Sequence, residues 1–116
     1  MKNSTKPFLS AAVVGMVLMF GATSALAVDA AALWDKHCAS CHGKDGKAKT
    51  KMGEKLKVRD LSDPAVKAKV TKASAVDSMK KGVKEEGSDK LAMKSFTDKL
   101  SEEEIQALAD YSLSFK

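Results

Sequence analysis

The chain has 116 residues but only two cysteines and two histidines, and all four fall within His37-Cys38-Ala39-Ser40-Cys41-His42. The spacing C-x-x-C-H is that of covalent haem attachment. Two thiols three positions apart on a helical turn can each add to one vinyl group of the same porphyrin. The next residue then projects beneath the ring, where an imidazole reaches the iron as proximal ligand. Other chemistries open to a C-x-x-C pair fit less well. A redox dithiol belongs in a βαβ setting, and none is visible. A zinc site would have only His37 and His42 to complete it, both crowded against the cysteines. A plain disulfide would leave His42 unexplained.

These residues must be positioned by short elements. Asp29 can cap a helix through Ala30-Ala31-Ala32-Leu33-Trp34 that runs into the cysteines. Gly43 to Lys57 is polar, contains three glycines and reads as a loop. Ser62-Asp63-Pro64 opens a helix of roughly two turns that ends near Val70. A further helix from Ser74 to Lys81 places Val76 and Met79 on one face and stops at Gly82. Gly82 to Leu100 has no sustained period and reads as irregular. The last helix is the clearest: Ser101 with Glu104 forms a capping box, and Ile105, Leu108, Ala109 and Ser112 share one stripe. No alternating strand pattern appears, so the expected class is all-α, a single small domain.

Residues 1–27 have the form of a secretory signal peptide. Lys2 and Lys6 make a positive start, Phe8 to Phe20 is nearly all apolar, and Ala25-Leu26-Ala27 is a small-x-small cleavage site. An uncleaved anchor is the competing reading, because Phe8 to Ala27 is just long enough to span a bilayer. Cleavage predicts a domain of residues 28–116 in the periplasm, with no stable membrane insertion. The whole chain carries 20 basic and 15 acidic residues. Lys2 and Lys6 are the only charges in the leader, which leaves a mild +3 on the domain. That excess is too small for a dedicated nucleic-acid binder. Four aromatics follow position 27 (Trp34, Phe96, Tyr111 and Phe115), few for a core, so a porphyrin would supply apolar bulk that the side chains lack.

From about Leu33 to Phe115 the chain resembles the small soluble monohaem class I cytochromes c. The resemblance rests on Cys38-Ala39-Ser40-Cys41-His42-Gly43, on Met79-Lys80-Lys81-Gly82, and on Met93-Lys94-Ser95-Phe96 followed by Leu100-Ser101-Glu102-Glu103-Glu104-Ile105 and Tyr111. It implies short helices wrapped around one haem c, bound through Cys38 and Cys41. The haem-attachment machinery would be needed to load it. Lys94 is a departure, since family members often carry proline directly after the ligand methionine; its absence bears on the rigidity of the ligand loop more than on the assignment of the ligand.

Function turns on the position opposite His42. His37 adjoins the tethered Cys38 and cannot reach the other face; it reads as a surface histidine. Loss of the leader removes Met1, Met16 and Met19, leaving Met52, Met79, Met93, an amine or an open site. Met79 falls on the apolar face of its helix, where a methionine fills core gaps. Met52 lies ten residues after His42, within reach of an extended chain. Met93 precedes the capped helix in a segment that can be shaped around a ligand, and the resemblance assigns it the sixth position. A thioether there favours ferrous iron and raises the potential. With both axial positions filled the protein would be a one-electron carrier and not an enzyme. An open site would instead make it a five-coordinate haem protein for small-ligand binding or peroxide chemistry. Trp34 and Phe96 can pack on the haem, although Trp34 serves helix packing equally well.

Charge is unevenly spread. Residues 44–59 sum to +5 and residues 85–110 to −5. The expected partners are a redox donor and acceptor, steered to the lysine-rich surface of a monomer. A solvated lysine loop and a set of helix-capping acids would produce the same pattern.

Overall fold

The computed structural model describes residues 27–116 together with Ala12 and Gly15. The leader and its competing anchor reading therefore lie almost wholly outside the described residues. Asp29 caps α1 (Ala30–His37), its carboxylate accepting the Ala32 N–H at 3.1 Å. At Cys38 the helix axis breaks, and α2 (Ala39–His42) follows directly. The glycine-bearing segment is not all loop: α3 (Lys51–Lys55) forms within it, capped by Thr50. Asp63 caps α4 (Pro64–Lys67), a single turn shorter than the expected helix. Thr71 and Ser74 build a capping box at the head of α5 (Lys72–Lys81), which starts two residues earlier than expected.

The segment after Gly82 departs from expectation. β1 (Val83–Lys84) pairs antiparallel with β2 (Leu91–Met93), with Val83 opposite Met93, Lys84 opposite Leu91 and an irregularity between Val83 and Lys84. Strands of two and three residues are too short to show alternation, so this small hairpin leaves no periodic trace in the sequence. The domain is still mainly helical, in keeping with the all-α class.

The last helix, α6 (Glu102–Ser112), carries the core. Its buried residues are Ile105, Leu108, Ala109 and Ser112, the expected stripe. α5 packs on it through Val76 and Met79, and α1 through Trp34; Cys38 and Leu100 complete the buried cluster. Helices of four to eleven residues are marginal in isolation, so this packing holds them. Lys72–Asp110 at 2.8 Å and Lys80–Glu102 at 2.7 Å join α5 to α6 along their exposed edges and add little individually.

The α6 capping box makes a pH prediction. Glu104 Oε1 accepts the Ser101 N–H at 2.9 Å, and the Ser101 hydroxyl accepts the Glu104 N–H at 3.2 Å. The Ser101 backbone bond, then the Ser101 side chain, holds the Glu104 carboxyl below its ordinary 4.5. A depressed carboxylate pKa stabilises the fold above the unfolded value, and that contribution is lost as pH falls through the folded one. Thermal unfolding should therefore be insensitive to Glu104 above about pH 5.5 and fall below 4.5. Glu104→Gln, which keeps the acceptor, should flatten that part of the acid dependence; an unchanged profile would refute the assignment.

Candidate functional site

Cys38 occupies the joint between two helices, serving as the C-cap of α1 and the N-cap of α2. Its carbonyl accepts from the N–H groups of Cys41, at 3.2 Å, and of His42, at 2.9 Å. One tight turn thus brings both thiols and the imidazole together. Both cysteines are free, Cys38 buried and Cys41 half-buried. Burial, with a smaller contribution from Cys41, pushes the Cys38 thiol up to about 12. A buried thiol with a raised pKa is not itself an activated nucleophile. Among the described residues no group of three or more His, Cys, Asp or Glu side chains is arranged to hold a metal ion.

The His42 ring is half-buried, and its Nδ1 is sealed from solvent with no hydrogen-bond partner among the described residues. Burial lowers the His42 pKa, favouring the neutral imidazole that a metal takes. The Trp34 ring lies 5.5 Å from the His42 ring, and its indole N–H donates to the Gly43 carbonyl at 2.9 Å. Tyr111 and Phe115 back the indole at 5.6 and 4.9 Å and touch each other at 5.2 Å. Trp34 thus packs α1 on α6 and walls the imidazole at the same time. The sequence marks Tyr111 through the family resemblance and Phe115 only as one of the four aromatics after position 27.

The segment after His42 closes around the turn from below. The Ala48 N–H donates to the His42 carbonyl at 2.8 Å, and Ala48 takes a left-handed φ of 56° to do so. The Thr50 hydroxyl donates to the Cys41 carbonyl at 2.7 Å and also accepts the Gly53 N–H at 2.8 Å. Gly46 also has a positive φ, 71°, and a Cβ there would lie 2.5 Å from the Phe115 ring. No motif marks Ala48, Thr50 or Gly53, because their roles arise from a chain reversal ten residues downstream.

The three methionines separate clearly. Met79 is 6% exposed in the core between α5 and α6, as its position on the helix face predicts. Met52 is 41% exposed on α3. Met93 ends β2, half-buried and packed against the core cluster. Leu91, two residues earlier on the same strand, is 46% exposed, and Val83 across from Met93 is 38% exposed, so the hairpin shows apolar side chains beside the thioether. His37 is half-buried, its ring edge-on to Phe96 at 6.1 Å, rather than a freely solvated side chain.

A turn with two free thiols and a neutral, walled imidazole fits a covalently held haem, and with these helices it defines a small class I c-type cytochrome. The chain belongs to the family described as cytochrome C oxidase, cbb3-type, subunit III, whose model matches residues 25–111. A solved structure of the KustC0563 c-type cytochrome is similar, with 32% identity and a TM-score of 0.65, over 77% of this chain and 99% of that one. A tyrosine-to-phenylalanine mutant of the same protein is similar at 32% identity and a TM-score of 0.63, covering 77% of this chain and 100% of its own. No curated protein matches the chain significantly. Membership makes the chain a haem-based electron carrier and implies covalent haem c. Among the described residues no helix is long and apolar enough to cross a membrane.

Proposed function

We propose that the chain is an exported periplasmic one-electron carrier with a single haem tethered through Cys38 and Cys41, ligated by His42 and Met93. Residues 1–27 would serve as the cleaved leader and residues 28–116 as the cytochrome domain. When bound, the haem supplies a reversible one-electron couple. The observation that carries the reading is the His42 ring, which follows both thiols in one turn, is held neutral by burial and has its Nδ1 sealed inside the protein. Trp34 walls that ring and the loop behind Gly43 binds the Cys41 and His42 carbonyls, so little rearrangement is needed between oxidation states. Met93 is supported because Met79 is committed to the core and Met52 lies out on α3. Ferrous spectra recorded before and after adding carbon monoxide test the ligation. An unchanged spectrum is expected; a prompt shift would mean an open sixth position and favour ligand binding or peroxide chemistry.

Redox partners would meet the surface of residues 44–59. Among the described residues, Lys44 is the only cation of that stretch in an ion pair, with Asp35 at 3.8 Å. In the acidic stretch Asp89, Glu102 and Asp110 are each paired with a lysine. The positive field is therefore less neutralised than the negative one. Electron exchange with an acidic partner should slow by at least about tenfold between 10 and 200 mM salt, as for electrostatically steered encounters. A salt-independent rate would rule out steering.

A further inference from the structure

Met93 is followed by Lys94, which leaves the backbone dihedrals after the methionine unrestricted by a proline ring. Something else must hold the sulfur in place. The end of α5 supplies it. The last carbonyls of a helix have no partner within the helix and must find one elsewhere. Here the Ser95 hydroxyl donates to the Lys80 carbonyl at 2.6 Å, and the Phe96 N–H donates to the Met79 carbonyl at 2.8 Å. Two orphan acceptors of α5 are thus taken by the two residues that come second and third after Met93. On its other side Met93 is paired with Val83 across the hairpin.

Gly82 makes this close approach possible. It leaves α5 at φ +79°, and a Cβ on it would lie 2.7 Å from the Met93 carbonyl oxygen and 3.3 Å from the Ser95 nitrogen. The main chain of the methionine segment therefore rests directly on the helix terminus. Of the contacts that pin it after Met93, the Ser95 hydroxyl is the one made by a side chain. Ser95 also lies 3.1 Å from the Thr97 hydroxyl, which can donate to it while Ser95 donates to Lys80.

We propose that Ser95 is a positioning residue for the methionine ligand, locking the Met93 segment to the C-terminal end of α5 and taking over the role that a proline would fill. The proposal rests on the reading of Met93 as sixth ligand. The hydroxyl bonds to the helix terminus and not to the methionine sulfur. Its effect is on how often the methionine segment lifts away, since breaking the contact leaves the Lys80 carbonyl unpaired and frees the chain between the hairpin and Phe96.

The test uses the oxidised holoprotein and imidazole as a competing ligand, because imidazole enters only when the methionine leaves. Ser95→Ala should speed imidazole binding about five- to tenfold, the effect of one lost hydrogen bond on an opening equilibrium. Ser95→Thr, which keeps a hydroxyl, should return the rate close to wild type. Thr97→Ala, which leaves the Lys80 contact in place, should also react near the wild-type rate. A Ser95→Ala protein that loses thermal stability but binds imidazole at the wild-type rate would overturn the positioning role. Met93→Ala separates the two levels of the argument. If it abolishes the sulfur-to-iron charge-transfer band while Ser95→Ala changes no rate, the clamp fails and the ligand stands. If it leaves that band intact, the ligand assignment itself fails.

Discussion

Met93→Ala should yield a protein that retains its covalent haem but binds carbon monoxide in the ferrous state, with a reduction potential lowered by on the order of 0.1 V or more. In the proposed holoprotein the haem is tethered through Cys38 and Cys41, far along the chain from the hairpin, and the turn that presents them is built from α1, α2 and the 43–53 segment. None of its hydrogen bonds involves Met93. The side chain is half-buried, so its removal should cost about 1–2 kcal/mol, less than a fully buried methionine. The fold should survive while the sixth position opens. Loss of the thioether removes a ligand that prefers ferrous iron, which sets the sign of the potential change. Equilibrium redox titration and carbon monoxide difference spectra read the two effects independently. If both match wild type, Met52 is the next methionine to replace, since Met79 would have to leave the core to reach any ligand.

Gly53→Ala should be the most damaging single-methyl substitution in the domain. In an exposed helix, glycine to alanine usually stabilises by up to about 1 kcal/mol. Here the sign reverses. A Cβ on Gly53 would press on the Ala48 carbonyl oxygen and lie 2.5 Å from the Cys41 carbonyl oxygen and 2.8 Å from the Thr50 hydroxyl. Two of these are backbone atoms that no rotamer change can move. The Cys41 carbonyl is the acceptor of the Thr50 hydroxyl, and the Ala48 peptide is tied to the His42 carbonyl through its N–H, so relief of the clash displaces the Cys41–His42 turn. Overpacking of this kind costs about 2–3 kcal/mol, or a Tm lower by roughly 10–20 °C in a domain this small. Gly87→Ala is the contrast: its φ is +71° but nothing lies within 4 Å, so only the backbone strain of about 1 kcal/mol applies. Thermal melts of the two variants should differ accordingly; equal melting temperatures would show that α3 does not grip the cysteine turn.

Local chemistry was legible wherever it is written in adjacent residues. Cys38, Cys41 and His42 are spaced as a C-x-x-C-H haem-attachment motif, and that spacing is a relation between adjacent residues. The caps at Asp29, Asp63 and Ser101 and the buried stripe of α6 were legible for the same reason: side-chain oxygen to nearby N–H, and a repeat of 3.6 residues, are short-range relations. The sequence by itself therefore determined the class of fold, the cofactor chemistry and the helix that carries the core.

Tertiary structure alone decided how the site is held. The hairpin could not be read because two- and three-residue strands have no period, and its pairing joins residues up to ten apart. Thr50 and Gly53 acquire their roles only when the chain folds back under Cys41. Ser95 matters only because the end of α5 leaves carbonyls for it to meet. The three methionines were equivalent as residue types, and burial separated them: one in the core, one on an exposed helix, one at the end of a strand clamped to its neighbour. Spacing along the chain specifies which atoms can react with one another, whereas long-range backbone contacts specify how firmly they are held.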